Sequence, residues 1–596
     1  MRIQLQEVFT EIDPRIQLHL ARRARGIVPP ATSSTAKGEI AVIAKVSDLT
    51  GWLSRSEVFP GANLGTAPDG SNIVTARIPI DRVQTLRQLP YVQSLKATQI
   101  LQPTLKSTIE EIKARVDLLP PSAQGQQGKG VVVGIIDYGC DFLHNNFRNP
   151  DGSTRILALW DQTALSGGSS PFGYGKAYTQ TDINAALRSS EPYLSLGYNP
   201  GRASHGTHVM DIACGNGNGS RVPGVAPNAD IIFVQISASD IAWEGTEVIG
   251  SNFGGSVQLL EAIQFIFEQA GNKPCVINVS LGTNGGPHDG TNLVEQGIDA
   301  VVTAQPNRAV VIAASNSYDD GIHASGQITE GSFVDLVWQI SQSDFTHNEL
   351  EIWYSKDDQL KIELIDRNDR SIGIVDLGAS AEIFNEANEL LFFVAHRQGD
   401  PNNDDNTIGI FMNTRAMSSS LPTELKLRLH GVAINNGQFH AWIERDDPGQ
   451  SSFAPPHDNS HTLGSISCGQ HSIVVGSYDA HTAGQPLSWF SSAGPTRDGR
   501  QKPEISAPGH NVWAANSSTR VGITRMSGTS MAAPAVTGVV ALVLAEARNL
   551  NKKLTVEQIH DILTKNARSN PPSMAWDDRY GMGRVDASAS VQQVRG

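Results

Sequence analysis

Three short stretches of this chain carry residue types that could do chemistry together. Residues 521–538 read V-G-I-T-R-M-S-G-T-S-M-A-A-P-A-V-T-G and set three hydroxyls, Ser527, Thr529 and Ser530, among glycines and alanines. An alcohol becomes a nucleophile only when a base takes its proton and donors receive the oxyanion that its attack creates. Residues 203–215, ASHGTHVMDIACG, supply an imidazole, His205. A histidine opening a helix has its charged form opposed by the helix dipole unless an acid holds it. Residues 134–144, GIIDYGCDFLH, supply a carboxylate, Asp137, at the end of an apolar run.

Each stretch also has a plain structural reading. Asp137 followed by Gly139 could be a cap, and Ser/Thr clusters are usually loop residues. Gly528 permits a tight turn, and the pattern predicts a helix from about Met531, with Pro534 in the first turn where its missing N–H is not needed. Ser530 then sits at a helix N-terminus beside free backbone N–H groups that suit an oxyanion. These arguments do not exclude Thr529. His205 and His208 form an H-x-x-H pair, but no further ligand pattern accompanies them, so His208 reads as structural.

The elements that must position these groups are legible around them. Residues 129–137 (KGVVVGIID), 229–237 (ADIIFVQIS), 275–282 (CVINVSLG) and 309–315 (AVVIAAS) are near-continuous apolar runs. Such runs mark strands buried on both faces of a parallel sheet, and helical stretches such as VQLLEAIQFIFEQA (257–270) separate them. The fold class is therefore α/β, doubly wound, with functional groups at the carboxyl ends of strands.

Two other textures flank or interrupt this pattern. After an extension and linker (1–37), residues 38–107 alternate strands (39–46, 71–80, 91–98) with a helix at 81–89 capped by Asp81, a small α+β unit. The α/β domain runs from 108 to 325 and resumes at 459–596. Between them, residues 326–458 hold seven short runs, among them ELEIWYS, LKIELID, TIGIFMN and QFHAWIE, several alternating with period two. That pattern is an all-β sandwich or jelly roll.

Taken in the order Asp, His, Ser on one α/β scaffold, the three stretches resemble the subtilases, the subtilisin-like serine proteases. IIDYGCD resembles the family's aspartate motif, HGTHV its histidine motif and GTSMAAP its nucleophile motif; PGVAP (223–227) and residues 491–509 are similar to further signatures. The resemblance implies Ser530 as nucleophile, His205 as general base and Asp137 as the group that orients the imidazole. It implies Asn316 as oxyanion donor with the Ser530 N–H, Ser280, Leu281 and Gly282 as an edge that pairs with an extended peptide, and Ala314 and Ser315 at the pocket before the cut. Ser315 stands where the family usually has glycine, and Tyr138 where Thr or Ser is commoner. Residues 38–107 resemble a ferredoxin-like propeptide bound in cis, with QILQPTLKS (99–107) as the tail that would occupy the cleft as a product does and a self-cleavage site in or near it. TRILALWDQ (154–162), YGKAYTQTDINAAL (174–187) and the insert are similar to the clostridial germination subtilases.

The resemblance thus implies a serine endopeptidase, made as a self-processing zymogen and acting on peptide or protein substrates in maturation or limited proteolysis. The alternatives are a catalytically silent scaffold and a broad degradative intracellular protease. No cofactor is required for catalysis. Calcium is common in the family, but Asn146 replaces a frequent acidic ligand, and GNGNGSR (215–221) and GDPNNDDN (399–406) read as turns, so no metal is assigned. A formal charge of −14 argues against nucleic-acid and anionic-membrane partners. Four scattered cysteines, no signal-like N-terminus and no long apolar span point to a cytoplasmic protein with reduced thiols.

Overall fold

The computed structural model describes residues 36–66, 69–97, 106–164, 170–202, 204–236, 256–341, 346–385, 387–414, 424–445, 449–569 and 575–595, with a few isolated positions besides. The chain divides into two compact units, residues 1–103 and 104–596. In the first, β1 (Glu39–Val46), β2 (Phe59–Thr66), β3 (Asn72–Pro79) and β4 (Val92–Ala97) form an antiparallel sheet of order β2-β3-β1-β4. Helix α1 (Leu49–Leu53) follows β1, and α2 (Val83–Arg87) follows β3. The expected cap Asp81 caps nothing; it lies inside a 3₁₀ turn, Ile80–Arg82, that precedes α2 without a side-chain cap. Most of the 99–107 tail falls outside the described residues.

The second unit is built on an eight-stranded sheet. Its strands are β5 (Val132–Asp137), β6 (Ile156–Asp161), β7 (Lys176–Thr179), β8 (Asp230–Gln235), β9 (Cys275–Val279), β10 (Arg308–Ala313), β11 (Ile473–Tyr478) and β12 (Ile505–Pro508). They lie in the order β12-β11-β10-β9-β5-β8-β6-β7 and are parallel except for the β6–β7 pair. The apolar runs have a direct consequence: alternate residues of one strand feed two separate cores. Val133 and Ile135 pack with helices α3 (His205–Cys214) and α6 (Thr529–Asn549) on one face. Val132 and Ile136 pack with α4 (Ser256–Ala270) and α5 (Leu293–Thr303) on the other. With both faces covered, polar chemistry is confined to strand ends.

Helix α6 is apolar enough to span a membrane by length and composition, but it is buried almost entirely inside the fold. It is a core helix.

The insert is two antiparallel sheets that share one apolar core. One carries the strands His323–Gln327, Gln438–Ile443, His347–Tyr354, Asn406–Asn413, Leu390–Arg397 and Ser380–Phe384 in that spatial order. The other carries Ser371–Asp376, Gln359–Ile365, Glu424–Ala433, Phe333–Gln339 and Ser452–Phe453. The seven expected runs all fall on strands. The remaining strands lie outside those runs, and HASGQ (323–327) has no apolar alternation to betray it.

Candidate active site

Asp137 is the last residue of β5 and is fully buried. His205 opens α3, and its Nδ1 donates to Asp137 Oδ1 at 2.7 Å, which leaves Nε2 as the basic nitrogen. Asp137 Oδ1 also accepts the Tyr138 N–H at 2.7 Å, so one carboxylate oxygen is held by two donors. The close approach of α3 to β5 depends on Gly206. A Cβ there would lie 2.6 Å from Phe233 Cζ, 2.8 Å from the Tyr138 carbonyl and 3.0 Å from Asp137 Cβ. Burial works against a charged His205, but the Asp137 charge and hydrogen bond outweigh it and hold the imidazole above its ordinary range, against some opposition from Arg445.

Ser530 is the second residue of α6, which begins at Thr529 and not near Met531. Pro534 therefore stands inside the helix, beyond the first turn. A proline there removes the N–H that would have bonded the carbonyl four residues earlier, that of Ser530. Ser280 Oγ supplies the missing donor, reaching the Ser530 carbonyl at 3.1 Å. Behind it a chain of polar groups holds Ser280: Asn278 Nδ2 donates to Ser280 Oγ at 2.9 Å, and Thr537 Oγ1 donates to Asn278 Oδ1 at 3.0 Å. The Ser530 hydroxyl itself donates to the Ser280 carbonyl at 3.5 Å, not to His205.

Asn316 follows β10. Its Oδ1 accepts from both the Thr529 N–H, at 2.8 Å, and Thr529 Oγ1, at 2.9 Å, which turns the amide so that Nδ2 is the outward donor. A Cβ placed on Gly528 would meet Asn316 Nδ2 at 3.4 Å and the Ser530 N at 3.6 Å. Two donors thus line one space that only glycine leaves open, the arrangement an oxyanion requires. Thr529, which reads from sequence as a loop hydroxyl, is the group that aims Asn316. Ser527 accepts the Asn511 N–H at 2.8 Å and takes no part.

Leu281 and Gly282 continue from β9 with no backbone hydrogen bond among the described residues, and nothing lies within 4 Å of a Cβ on Gly282. That is a vacant edge suited to an added strand. Ala314 and Ser315 differ from this edge. Both are buried, the Ala314 carbonyl accepts from Gly464 N at 3.1 Å, and the Ser315 carbonyl accepts from Ser492 N at 3.2 Å. They form a floor instead of a rail. Ser315 holds φ +90°, a conformation that favours glycine.

A residue with no local signal in the sequence controls the end of the rail. Glu444, from the insert, accepts the Asn284 N–H at 2.7 Å, the Gly285 N–H at 3.0 Å and the Thr283 hydroxyl. Only the fold brings position 444 to 283–285.

The remaining candidates have hydrogen-bond or ion-pair partners within the protein. His208 is fully buried and spans two carbonyls, Val512 at 3.1 Å and Thr524 at 3.2 Å; burial drives its pKa down to about 3. Asn146 donates to Asp211 at 2.6 Å and to Ser220 at 2.9 Å, and accepts from Gly219 N at 2.7 Å. It ties the 215–221 loop to the Asp211 carboxylate. The 399–406 loop docks rather than lying free in solvent: Arg497 bridges Asp289 at 2.5 Å and Asp405 at 2.6 Å. All four cysteines are buried and unpaired.

Comparison with known proteins agrees with this fold. The subtilase family model matches residues 128–336 and 371–583, more than half of the chain. The CspB protease of Clostridium perfringens superposes with a TM-score of 0.68 at 26% identity, covering 82% of this chain and 98% of that one. The PII-type proteinase of Lacticaseibacillus paracasei is 24% identical over 88% of this chain, which spans 29% of that protein's length. The major intracellular serine protease of Bacillus subtilis is 28% identical over 40% of this chain and 56% of its own. The order of the motifs, the sheet that carries them and the extent of the family match agree: this chain belongs to the subtilases, the subtilisin-like serine peptidases.

Proposed function

We propose that the chain is a serine endopeptidase that cleaves extended peptide segments through an acyl-enzyme. Ser530 attacks the scissile carbonyl while His205 Nε2 takes its proton and later returns it to the leaving amine. Asp137 holds the tautomer and offsets the imidazolium charge. Asn316 Nδ2 and the Ser530 N–H receive the oxyanion, and residues 280–282 align the substrate. The observation that carries this reading is the pair of donors around the space at Gly528, since a binding scaffold has no use for an empty oxyanion pocket.

One observation favours a silent scaffold: Ser530 donates to Ser280 instead of His205. At 3.5 Å that bond is at the limit of a hydrogen bond and is easily exchanged for one to the base when substrate closes the site. A fluorophosphonate probe separates the two readings. It should label wild-type protein at Ser530 and leave Ser530→Ala unlabelled; folded wild type that resists the probe would establish the scaffold.

We further propose that residues 38–107 act as a propeptide cut within or near 99–107. Their support is the β2-β3-β1-β4 sheet with helices after β1 and β3, the order of a ferredoxin-like fold. Mass spectrometry should find cleavage in wild type and an intact Ser530→Ala chain. The insert is read as a jelly roll that braces the rail through Glu444. A peptide-library profile decides between maturation, which gives a narrow motif, and general turnover.

A further inference from the structure

Three histidines far apart in the chain meet at the seam between the insert and the catalytic sheet. His323 lies on the first strand of the insert, His440 on the strand paired with it, and His461 on the segment that returns to the catalytic fold. Each offers one ring nitrogen, and these nitrogens all lie within 4.8 Å of one another. His323 and His440 are buried, whereas His461 is partly open to solvent. We propose that His323, His440 and His461 bind one divalent transition metal of the zinc class. This proposal is independent of the peptidase reading.

The surroundings of each ring already sort its nitrogens. His323 Nδ1 faces the Asp458 carbonyl at 3.2 Å and the Asp458 carboxylate at 3.6 Å, so Nδ1 carries the proton and Nε2 keeps its lone pair. That Nε2 lies 3.0 Å from His440 Nδ1. On the far side, His440 Nε2 faces Gln438 Nε2 at 3.3 Å. The metal-free chain is therefore a run of donations: Gln438 to His440, His440 to His323, His323 to Asp458. With His461 Nδ1 protonated and donating to Ser460 Oγ at 2.6 Å, Nε2 keeps its lone pair for coordination.

Metal uptake needs only a local exchange. The His440 proton moves from Nδ1 to Nε2, and the Gln438 amide turns to accept it through its carbonyl oxygen. Three neutral imidazoles then face the ion, with no net release of protons. Tetrahedral zinc with bonds of about 2.1 Å sets its nitrogen ligands ~3.4 Å apart. The His323–His440 pair must open by roughly 0.4 Å, and no pair must close by more than roughly 1.4 Å. Both are side-chain adjustments.

The outer contacts are those that metal-binding histidines use. A carbonyl and a carboxylate from Asp458 orient His323, and Asp458 is fixed in turn by Ser325 Oγ at 3.0 Å and the Ser460 N–H at 2.9 Å. Trp442 forms a dry wall, its ring 5.0 Å from that of His323 and 5.5 Å from that of His440, and stacks on His288 at 4.1 Å. Its Nε1 donates to the His461 carbonyl at 2.9 Å, pinning the third ligand's backbone. The solvent-open side of His461 supplies an entry path and a fourth position for water.

The three ligands bracket the insert, with His323 just after Asn316 and His461 just before Gly464, the donor to Ala314. An ion there ties entry strand, paired strand and exit segment into one unit beside the oxyanion residue. Neither spacing in the sequence suggests it, since His323 and His440 are 117 residues apart.

The test uses the full chain as Ser530→Ala, stripped with EDTA and titrated with Zn²⁺ alone. We expect uptake of about one equivalent with submicromolar affinity and a melting temperature raised by about 5 °C. Co²⁺ should give the intense visible bands of a tetrahedral site. His461→Ala, chosen because this ring is the least buried of the three, should fold with an unchanged circular dichroism spectrum yet lose tight binding; His481→Ala, at an exposed histidine elsewhere, should keep it. Stripped protein that takes up no zinc at micromolar concentration, or His461→Ala binding as tightly as its parent, would overturn the assignment and leave a stacked imidazole cluster only.

Discussion

The parallel sheet and the inserted sheets handle polar residues in opposite ways. Strand β5 is buried along its whole length, and its first charged side chain is its last residue, Asp137. The insert strand His347–Tyr354 instead alternates, with Leu350 and Ile352 turned to the sandwich core and Glu349 and Glu351 on the opposite face. That opposite face is not left to water. It packs against the catalytic fold, where Glu444 grips residues 283–285, Trp442 stacks on His288 and the three histidines meet. In a sheet covered on both faces, a polar residue stands out by its position. In a sheet whose polar face is docked, functional and merely solvated residues look alike in the sequence.

The largest test of this contrast lies on the parallel sheet. Asn316→Ala should lower kcat about 10²–10³-fold with little change in KM, because in the proposed mechanism the lost donor acts only on the oxyanion. An equal loss in KM would place Asn316 in ground-state binding and break the strand-end argument. Next in size is Glu444→Ala on the docked face. It strands three donors near the rail and should cost about 3 kcal/mol of stability or raise KM about tenfold or more, read by denaturation and by kinetics on a long peptide. If neither moves, the docked face is inert packing.

A pH measurement sharpens the same point. Burial, helped by the charges of Glu444 and Glu351, lifts the Glu349 carboxyl to about 8. A raised acid binds its proton more tightly in the folded state, so its stabilisation is complete below the unfolded value of about 4.3 and fades as pH rises through 8. Glu349→Gln should therefore remove a wild-type loss of stability between those limits, seen as a melting temperature that no longer falls with pH. Thr529→Val comes next. It keeps the Thr529 N–H but deletes one of the two bonds that aim Asn316, and should lower kcat about tenfold. The smallest effect is expected of Ser315→Gly, which relieves a φ of +90° and should stabilise the protein by about 1 kcal/mol in thermal melts.

Legibility in the sequence tracks how local each signal is. Asp137, His205 and Ser530 announce themselves nearby: a strand end, a glycine after an imidazole, a glycine before a helix. Asn316 is placed only through family resemblance, and Thr529 is indistinguishable from a loop residue because its partner lies 213 positions away. The sequence pattern sets the start of α6 two residues late, since a proline fits most easily in a first turn. Its actual place inside the helix is tolerable only because Ser280 donates to the orphaned carbonyl, a contact spanning 250 residues. Strand HASGQ is invisible in the sequence because it is defined by its pairing with Gln438–Ile443 and not by its own pattern.

That borrowed donor has a mechanical corollary. A residue of the surface against which a peptide would lie also completes the first turn of the helix that bears the attacking alcohol, so neither can shift without tugging the other. Pro534→Ala would let the helix close its own ring of hydrogen bonds and set Ser280 loose. A variant made sturdier in this way would have cut the linkage by which, in the proposed mechanism, an arriving chain is felt at the attacking alcohol.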